Sequence, residues 1–447
     1  MANRKYVKKI DRFLEKYSAT YFVYKKLNDY KRKLECNIFF DLKKVIWYER
    51  QWNSLLMKYE QIILHGIQLV SIGETVPRLF NLIEDINQEN RKVLHVVLPT
   101  FFKQYTGGIY NRRLFDIFGK KIYFIRESNI DLWTYIFFFH MKDINMEQFD
   151  RYLSARLGAI DIDPGNLLLP FCRSEILEGE SKLQRMGVNG EYICLHARES
   201  NVKLLDFSKK DEIDSRCRNC DINTFFKTSR YFHGLNMQSI RLGKYENQKC
   251  NEGTIIDYAN RYYDEFMDFY LLSRCKFTIS CDSGIAAICG YWGRPAIITN
   301  IVSICYGAES LGSTGYDMYL PKKFYSQKKH RYLNLYEMLD VMNACVIVTS
   351  NFTKRGIILE DNTEDEILEA AKELNDRMDH RWVESDEEKK HYEMYWEIMH
   401  KWEKNHSSVK ARKMGGFKGY TMLFHRLSYT YLKNNLYLLD VDISLLP

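Results

Sequence analysis

The sequence predicts an α/β protein with two tandem domains built on parallel sheets. Its 447 residues exceed the size at which one hydrophobic core usually stops growing. Short apolar runs alternate with helical patterns in both halves, and strands joined by helical crossovers form parallel sheets. The polar, glycine-containing segment 175–190 has the composition of a linker, so we predict the domain boundary there.

Strand and helix patterns place the elements within each half. Residues 69–72 are predicted as a buried strand, Gly73-Glu74-Thr75 as a turn, and 76–86 as a helix with Pro77 in its first turn. A helical region at 36–65 precedes them. The other predicted strands are 92–99 and 121–125 in the first half and 192–195, 238–242, 277–281, 296–300 and 346–350 in the second, with a helix at 222–232.

A helical region is predicted after the second half. Thr363 and Glu366 have the spacing of a capping box, and apolar residues recur at helical spacing as far as Leu374. The predicted segments are a basic helical N-terminal segment (1–64), two α/β domains (65–180 and 181–362), and C-terminal helices that pack back across the domains (363–447).

The formal net charge of +7 is concentrated at the start of the chain. Residues 1–35 contain 11 Lys or Arg and 4 Asp or Glu, and 11 − 4 = +7. Apolar residues from Tyr6 to Tyr17 recur there at helical spacing, which predicts a basic amphipathic helix. Such a helix fits an anionic membrane surface, and the alternative is a solvated helix packed on the domain. We expect no nucleic-acid partner, because there is no second basic stripe and no nucleic-acid motif.

Composition and cysteine usage indicate a folded cytoplasmic protein. Hydrophobic residues make up 46% and charged residues 28% of the chain, as in globular proteins. The basic start is not followed by the apolar core and cleavage site of a signal peptide, so none is expected. The most apolar run, 132–141, is about half the ~20 residues that span a bilayer. The 11 cysteines are scattered, as in a reduced cytosolic protein.

Motifs for metals and for several large enzyme classes are weak or missing. Cys217-Arg218-Asn219-Cys220 is a single CxxC without a second pair at zinc-finger spacing. Asp161-Ile162-Asp163 and Asp440-Val441-Asp442 are short and generic. The sequence has no Walker loop, GxGxxG, HExxH or GxSxG. We therefore predict a protein that needs neither a metal nor a cofactor.

The strand predicted at 192–195 ends in a group of ionisable residues. His196 and Arg198 are two residues apart and project to one face of an extended segment. Arginine offers a planar, permanently charged fork that suits phosphate, so Arg198 is a candidate diphosphate ligand. The alternative is a strand end whose polar groups are satisfied by neighbouring loops. Arg241 ends the next predicted strand and would add a second guanidinium.

A second candidate lies after the strand predicted at 277–281. Asp282-Ser283-Gly284 forms a small, hydroxyl-bearing turn ahead of a small-residue helix. Such a turn at the carboxyl end of a parallel strand lets a phosphate approach the amides of the next helix. The alternative is a tight turn in which Ser283 only caps that helix.

Glu74 and His95 are the titratable candidates of the first half. A carboxylate on a glycine turn can act as a general base toward an acceptor hydroxyl, and this is the functional interpretation of Glu74. Its alternative role is to interact with the dipole of the helix at 76–86. His95 lies within a predicted strand and is predicted to be a core histidine.

Several motifs occur in a fixed order between residues 192 and 374: YICLHARES, CRNCDINTF, IRLGKY, IIDYAN, DFYLLSRCKFTISCDSG, GRPAIITN and ILEDNTEDEILEAAKEL. Together they resemble a group of bacterial glycosyltransferases associated with surface-polysaccharide synthesis, which is distantly similar to fucosyltransferases with a His-x-Arg motif. SIGETVPRL, at 71–79, is similar to the glycine turn of heptosyltransferases. The resemblance covers roughly 65–110 and 190–375.

The resemblance implies a GT-B fold, in which two Rossmann-like domains face a cleft, with the acceptor mostly on the first and the nucleotide sugar mostly on the second. It implies that Arg198 holds the donor diphosphate, that His196 shapes the same loop and that Glu74 is the base. The residues implied to bind the donor are Arg198, Asn219, Arg241, Asp257, Asp282, Ser283 and Gly284.

The predicted function is metal-independent, inverting glycosyl transfer from a nucleotide sugar, GDP- or UDP-linked, to a surface-glycan or lipid-linked acceptor. Two alternatives stay open. One is a nucleotide-sugar epimerase of the same fold, and the other is a non-catalytic glycan-binding or assembly scaffold. The expected location is the cytoplasm, at the inner face of the cytoplasmic membrane if residues 1–35 bind lipid.

Overall fold

The computed structural model describes most of the chain. The described residues are 32, 42–68, 72–100, 111–126, 128–147, 170–199, 216–244, 248–302, 314–344, 349–406 and 426–442. Residues 1–35 except Arg32, and the predicted pair Asp161 and Asp163, lie outside these ranges. The chain divides into two compact units, one of residues 1–153 and 203–210 and the other of residues 154–202 and 211–447.

The first unit contains a four-stranded sheet in which each neighbouring pair is parallel. Its strand order is β3-β2-β1-β4, with β1 (Gln61–Gln68), β2 (Val93–Thr100), β3 (Tyr123–Phe124) and β4 (Asn145–Glu147). Its helices are α1 (Leu42–Lys58), α2 (Ile72–Gln88), α3 (Leu114–Phe118) and α4 (Ile130–Phe139).

Aromatic residues one helical turn apart build the core of the first unit. Tyr48 and Trp52 are buried on α1, and Trp133 and Phe137 are buried on α4, in one cluster with apolar side chains of β1 and β2. Positions i and i+4 lie on the same face of a helix, so each pair turns one apolar face inward. Most of the apolar run 132–141 therefore lies in a buried core helix, α4.

Two predictions for the first unit are wrong in detail. Residues 61–65, predicted as the end of a helical region, belong to β1, and residues 69–71 lie outside the described ranges. Gly73-Glu74-Thr75, predicted as a turn, belongs to α2, which begins at Ile72. Thr75 is fully buried four residues before Leu79, so the inward face of the helix extends one turn further than the apolar pattern indicates.

The second unit contains a seven-stranded sheet that is parallel at every pairing. Its order is β14-β10-β9-β8-β5-β6-β7, with β5 (Tyr192–His196), β6 (Gln238–Arg241), β7 (Ile255–Ile256), β8 (Thr278–Cys281), β9 (Ala296–Ile301), β10 (Met318–Pro321) and β14 (Arg426–Leu427). An antiparallel sheet of order β12-β11-β13 adds β11 (Lys323–Ser326), β12 (Arg331–Tyr332) and β13 (Ile357–Glu360).

The helices of the second unit lie between and after these strands. They are α5 (Arg173–Arg185), α6 (Phe226–Gly234), α7 (Tyr258–Arg261), α8 (Met267–Arg274), α9 (Ala286–Gly290), α10 (Leu335–Ala344), α11 (Thr349–Thr353), α12 (Glu364–Met378), α13 (Asp386–His406) and α14 (Tyr429–Asn434).

The predicted α/β class with parallel sheets is confirmed. Six of the strand predictions, at 92–99, 121–125, 192–195, 238–242, 277–281 and 296–300, match β2, β3, β5, β6, β8 and β9 to within one or two residues at each end. The cleft between two domains stays a prediction.

Two predictions for the second unit are wrong. Residues 349 and 350, predicted to end a strand, begin the helix α11. Most of the polar segment predicted as a linker forms α5, whose first turn is closed by a capping box between Cys172 and Glu175. The reason is that a surface helix carries the same polar composition as a linker, so composition alone does not separate the two.

The C-terminal elements are fixed to the second unit by one buried carboxylate. Glu373 of α12 is fully buried and accepts hydrogen bonds from Ser428 Oγ at 2.8 Å and from the backbone N–H of Tyr429 at 3.1 Å and Thr430 at 2.9 Å. It also accepts from Thr430 Oγ1 at 3.1 Å and pairs with the guanidinium of Arg377 at 3.0 Å. The predicted capping box of Thr363 and Glu366 on α12 is confirmed. The packing of residues 363–447 across both domains stays a prediction.

Within the described ranges, every helix is too short or too polar to cross a bilayer.

Candidate functional site

The carboxyl ends of β5, β6 and β8 meet at one edge of the large sheet. These strands are neighbours in the order β8-β5-β6 and run parallel, so the residues that follow them emerge side by side. Ligands of open α/β sheets bind outside this edge. The sequence places Arg198, Arg241 and Asp282 at or just beyond these three strand ends.

The backbone of Arg198 is held from two sides. Its N–H donates to Cys281 Sγ at 2.9 Å, and its carbonyl accepts from the N–H of Cys220 at 3.3 Å. The side chain is half-buried, and Nη1 donates to Asn219 Oδ1 at 2.6 Å. Burial, and next the neighbouring Arg218, lower the pKa of the Arg198 guanidinium. An arginine remains charged under all such shifts, so Arg198 is a partly desolvated cation beside another cation.

Two cationic residues that the sequence does not single out, Arg218 and Lys322, lie near Arg198. Arg218 donates from Nε to the carbonyl of Asp282 at 3.1 Å, and its Nη2 lies 3.3 Å from Asp282 Oδ1. Lys322, which is buried directly after β10, donates from Nζ to the Asn219 carbonyl at 3.0 Å and pairs with Asp361. We call Arg198, Arg218 and Lys322 the cationic cluster. Asn219 links its members, since its side chain bonds Arg198 and its backbone bonds Lys322.

Weak signals for both missed residues are present in the sequence. Arg218 lies inside the CxxC motif, which by itself indicates only a weak metal site. Lys322 follows a strand end, as Arg198 does, but β10 itself was not predicted.

The turn predicted after β8 is present. Asp282 to Ile285 connect β8 to the five-residue helix α9, and Ser283 and Gly284 are half-buried in that connection. Asp282 is buried, and within the described part of the chain its Oδ2 has no hydrogen-bond partner, while Oδ1 faces Arg218. A buried carboxylate oxygen without a donor is costly, which makes Oδ2 a site for a donor group from a ligand.

His196 is a neutral positioning residue. It is buried at the end of β5, and Nδ1 lies 3.2 Å from the Leu242 carbonyl. A carbonyl can only accept, so Nδ1 carries the proton. Burial, together with the smaller effects of Arg241 and Arg198, lowers the pKa of His196 to about 4 against the opposing effect of the Leu242 hydrogen bond. The imidazole therefore ties β5 to the end of β6 in its uncharged form at neutral pH.

The lowered pKa of His196 predicts a loss of folding stability in mild acid. The folded pKa of about 4 lies below the ordinary 6.5, so the unfolded chain takes up the proton first as the pH falls below about 6.5. Between pH 7 and pH 5 wild type should lose about 2 kcal/mol more unfolding free energy than His196→Gln. Urea unfolding at both pH values measures this. The exposed His233→Gln is the control, and an identical pH dependence in wild type and His196→Gln would contradict the prediction.

The surroundings of Arg241 and Asp257 favour a structural role, and their predicted role in donor binding stays a prediction. Arg241 is fully buried, with Nη2 2.9 Å from Glu199 Oε1, Nη1 3.5 Å from Asp257 Oδ1 and Nη1 donating to the Gln248 carbonyl at 2.7 Å. Asp257 is buried as well and accepts from Asn260 Nδ2 at 3.0 Å. Arg241 is thus neutralised by two carboxylates inside the protein, and its guanidinium is not exposed to a ligand.

The candidates of the first unit lie on α2 and β2. Glu74 is the third residue of α2, its side chain is not among those described, and its role as a base stays a prediction. His95 is a buried core histidine, as predicted, and its Nδ1 lies 3.0 Å from Nε2 of His65. Burial, and next the neighbouring His95, lower the pKa of His65 to about 3, so His65 is uncharged at neutral pH.

The described residues contain no group of three or more Asp, Glu, His or Cys that could hold a metal ion. Asp440 and Asp442 are within these ranges. The absence of a metal requirement stays a prediction.

Comparison with known proteins gives structural neighbours only. No protein-family profile and no curated protein sequence matches the chain. The chain is similar in structure to a glycosyl transferase family 9 protein from Veillonella parvula, with 13% identity and a TM-score of 0.39 over 70% of this chain and 97% of that one. It is also similar to E. coli ADP-heptose lps heptosyltransferase II, with 10% identity and a TM-score of 0.35 over 54% of this chain and 85% of that one. Both neighbours are glycosyltransferases, the class of enzyme that the sequence motifs resemble.

Proposed function

We propose that this protein is a glycosyltransferase that binds a nucleotide sugar at the cationic cluster and transfers its sugar to a surface-glycan or lipid-linked acceptor. The observation that carries the proposal is the meeting of Arg198, Arg218 and Lys322 at the carboxyl edge of a parallel sheet. Asp282 pairs with Arg218 and Asp361 pairs with Lys322, and the half-buried guanidinium of Arg198 lies in the same cluster. A negatively charged diphosphate suits a place where three cationic side chains meet.

The cationic cluster suits the chemistry of the leaving group. In the proposed reaction the bond between the anomeric carbon and the diphosphate oxygen breaks, and the electron pair remains on the diphosphate. Fixed guanidinium groups in a water-poor site stabilise this charge as it develops, and they take the place that a metal ion has in other transferases. The proposed metal independence rests on this arrangement.

The remaining groups have distinct proposed roles. Arg198 binds the diphosphate, with Asn219 fixing its orientation, and the turn at Ser283 and Gly284 receives a phosphate oxygen. Asp282 Oδ2 accepts a hydrogen bond from a hydroxyl of the sugar nucleotide.

An acceptor hydroxyl forms the new bond in the proposed reaction. It attacks the anomeric carbon from the side opposite the diphosphate, which inverts the configuration. Its proton passes to a base, and Glu74 of α2 is the proposed base. We further propose that residues 1–35, with their net charge of +7, bring the enzyme to a lipid-linked acceptor at the inner face of the cytoplasmic membrane.

A thermal-shift screen with GDP, UDP, CMP, TDP and their sugar conjugates tests the donor site. A ligand that binds only the native state at 100 times its Kd stabilises it by about 2.7 kcal/mol, so one nucleotide, GDP or UDP, should raise the unfolding midpoint by several degrees. Arg198→Ala should lose this shift. Arg230→Ala, which changes an exposed arginine of α6 paired with Glu252, should retain it. If no nucleotide shifts the midpoint, the scaffold alternative is favoured.

A further inference from the structure

Helix α1 of the first unit carries exposed apolar side chains on the face opposite its core contacts. Ile46 is 46% exposed, Trp47 is 51% exposed and Met57 is 83% exposed. Tyr48 and Trp52, by contrast, are buried in the core. At 100° per residue, positions 46, 47, 50 and 57 lie on the side away from Tyr48 and Trp52. We call Ile46, Trp47, Arg50 and Met57 the outer face.

The charge of α1 is positive on the exposed side. Lys43, Lys44, Arg50 and Lys58 are all exposed. Glu49 is the only acidic residue of the helix. Its Oε1 accepts from the Tyr135 hydroxyl at 2.6 Å and lies 2.9 Å from His140 Nε2, both on or next to the core helix α4. The single carboxylate of α1 is thus engaged inside the unit, while the four basic side chains of the helix are exposed.

A cavity at the C-terminal end of α1 is also rich in cations. It has a volume of about 340 Å³, and Lys58 lines it together with Tyr59, Arg91 and Lys92. Glu89, which lines it as well, pairs with Arg91 at 3.1 Å. The helix therefore ends beside a space with a net positive lining.

We propose that the outer face of α1 lies on an anionic lipid bilayer, with the cavity at Lys58 facing the lipid headgroups. Tryptophan prefers the level of the headgroups, and apolar side chains of an interfacial helix enter the acyl boundary. Each lysine or arginine near an anionic surface adds about 1 kcal/mol of attraction. Residues 1–35 have a net charge of +7. Residues 1–35 and α1 are both positively charged. An anionic surface is therefore complementary in charge to each of them, whereas they are not complementary to each other.

Vesicle flotation of the full chain tests this surface. Wild type should float with vesicles of phosphatidylcholine and phosphatidylglycerol in a 7:3 ratio, and much less with phosphatidylcholine alone. The variant Ile46→Ser/Trp47→Ser/Met57→Ser should bind the anionic vesicles at least tenfold more weakly. The matched control Leu177→Ser/Leu235→Ser/Val383→Ser changes three exposed apolar residues of the second unit and should float as wild type does.

Further outcomes of these experiments test whether α1 binds the bilayer. Deletion of residues 1–35 should weaken flotation without abolishing it, because α1 remains. Failure of wild type to float, or equal flotation of wild type and the α1 variant, overturns the proposal. A change from dimer to monomer in the α1 variant, measured by light scattering, would instead assign the face to a second copy of the chain. The inference does not depend on glycosyl transfer, since the α1 variant should keep the unfolding midpoint and the nucleotide-induced shift of wild type.

Discussion

Replacing Arg198 by lysine is expected to lower kcat/KM for the donor found in the nucleotide screen by 10²- to 10³-fold. Lysine keeps the charge but loses the fork that reaches Asn219 and the diphosphate together. Removing one oriented donor from a site that stabilises developing charge costs about 3–4 kcal/mol of the barrier. Initial rates over a range of donor concentrations measure the effect.

The loss should appear mainly in kcat, because charge on the diphosphate develops in the transition state. Arg230→Lys, the same change at an exposed position of the second unit, should leave the rate within twofold of wild type. Rates within threefold of wild type for Arg198→Lys would remove Arg198 from the proposed mechanism. An unchanged unfolding midpoint in Arg198→Lys is needed to separate chemistry from stability.

Arg241→Ala is expected to destabilise the second unit by about 3–5 kcal/mol, because it leaves the carboxylates of Glu199 and Asp257 without their counter-charge. Removing one member of a buried ion group is costly, whereas an exposed pair contributes about 1 kcal/mol or less. Urea unfolding measures the difference against Arg230→Ala. Combining Arg241→Met with Glu199→Met and Asp257→Leu should recover most of the stability, since no charge is then left unpaired.

The same variants decide between two interpretations of Arg241. If Arg241 is a structural ion-pair residue, Arg241→Ala lowers the free energy of unfolding, and the nucleotide still raises the unfolding midpoint of the protein that remains folded. If Arg241→Ala unfolds at the wild-type midpoint but no longer responds to the nucleotide, Arg241 is a donor ligand, as the sequence predicted.

Local patterns in the sequence predicted part of the fold well. The capping box of Thr363 and Glu366 and the strand β8 ahead of Asp282 both follow from residues that are adjacent or one turn apart. The prediction of a helix over residues 61–65, in β1, is wrong because a short apolar strand next to a helix has no periodicity of its own. The strands β12 and β14 have two residues each and exist only through pairing with β11 and β10.

In the candidate site, too, some features follow from the local sequence and others depend on tertiary structure. The sequence selected Arg198 from its position at a strand end, but Arg241 has the same local setting and the opposite surroundings. Glu199 and Asp257, which neutralise Arg241, come from the ends of β5 and β7 on either side of β6. Only the strand order brings them together.

Taken by itself, the sequence determined that the chain forms parallel sheets with polar residues at the strand ends, because periodicity and end residues are local properties. The tertiary structure alone decided which cations form the cluster, since Asn219 and Lys322 are 103 residues apart and meet only where β10 joins the sheet. It also decided that Arg241 is paired with two carboxylates and fully buried, whereas Arg198 lies half-buried in the cationic cluster. Burial and ion pairing depend on the packing of distant segments, and this packing gives Arg198 and Arg241 different chemistry.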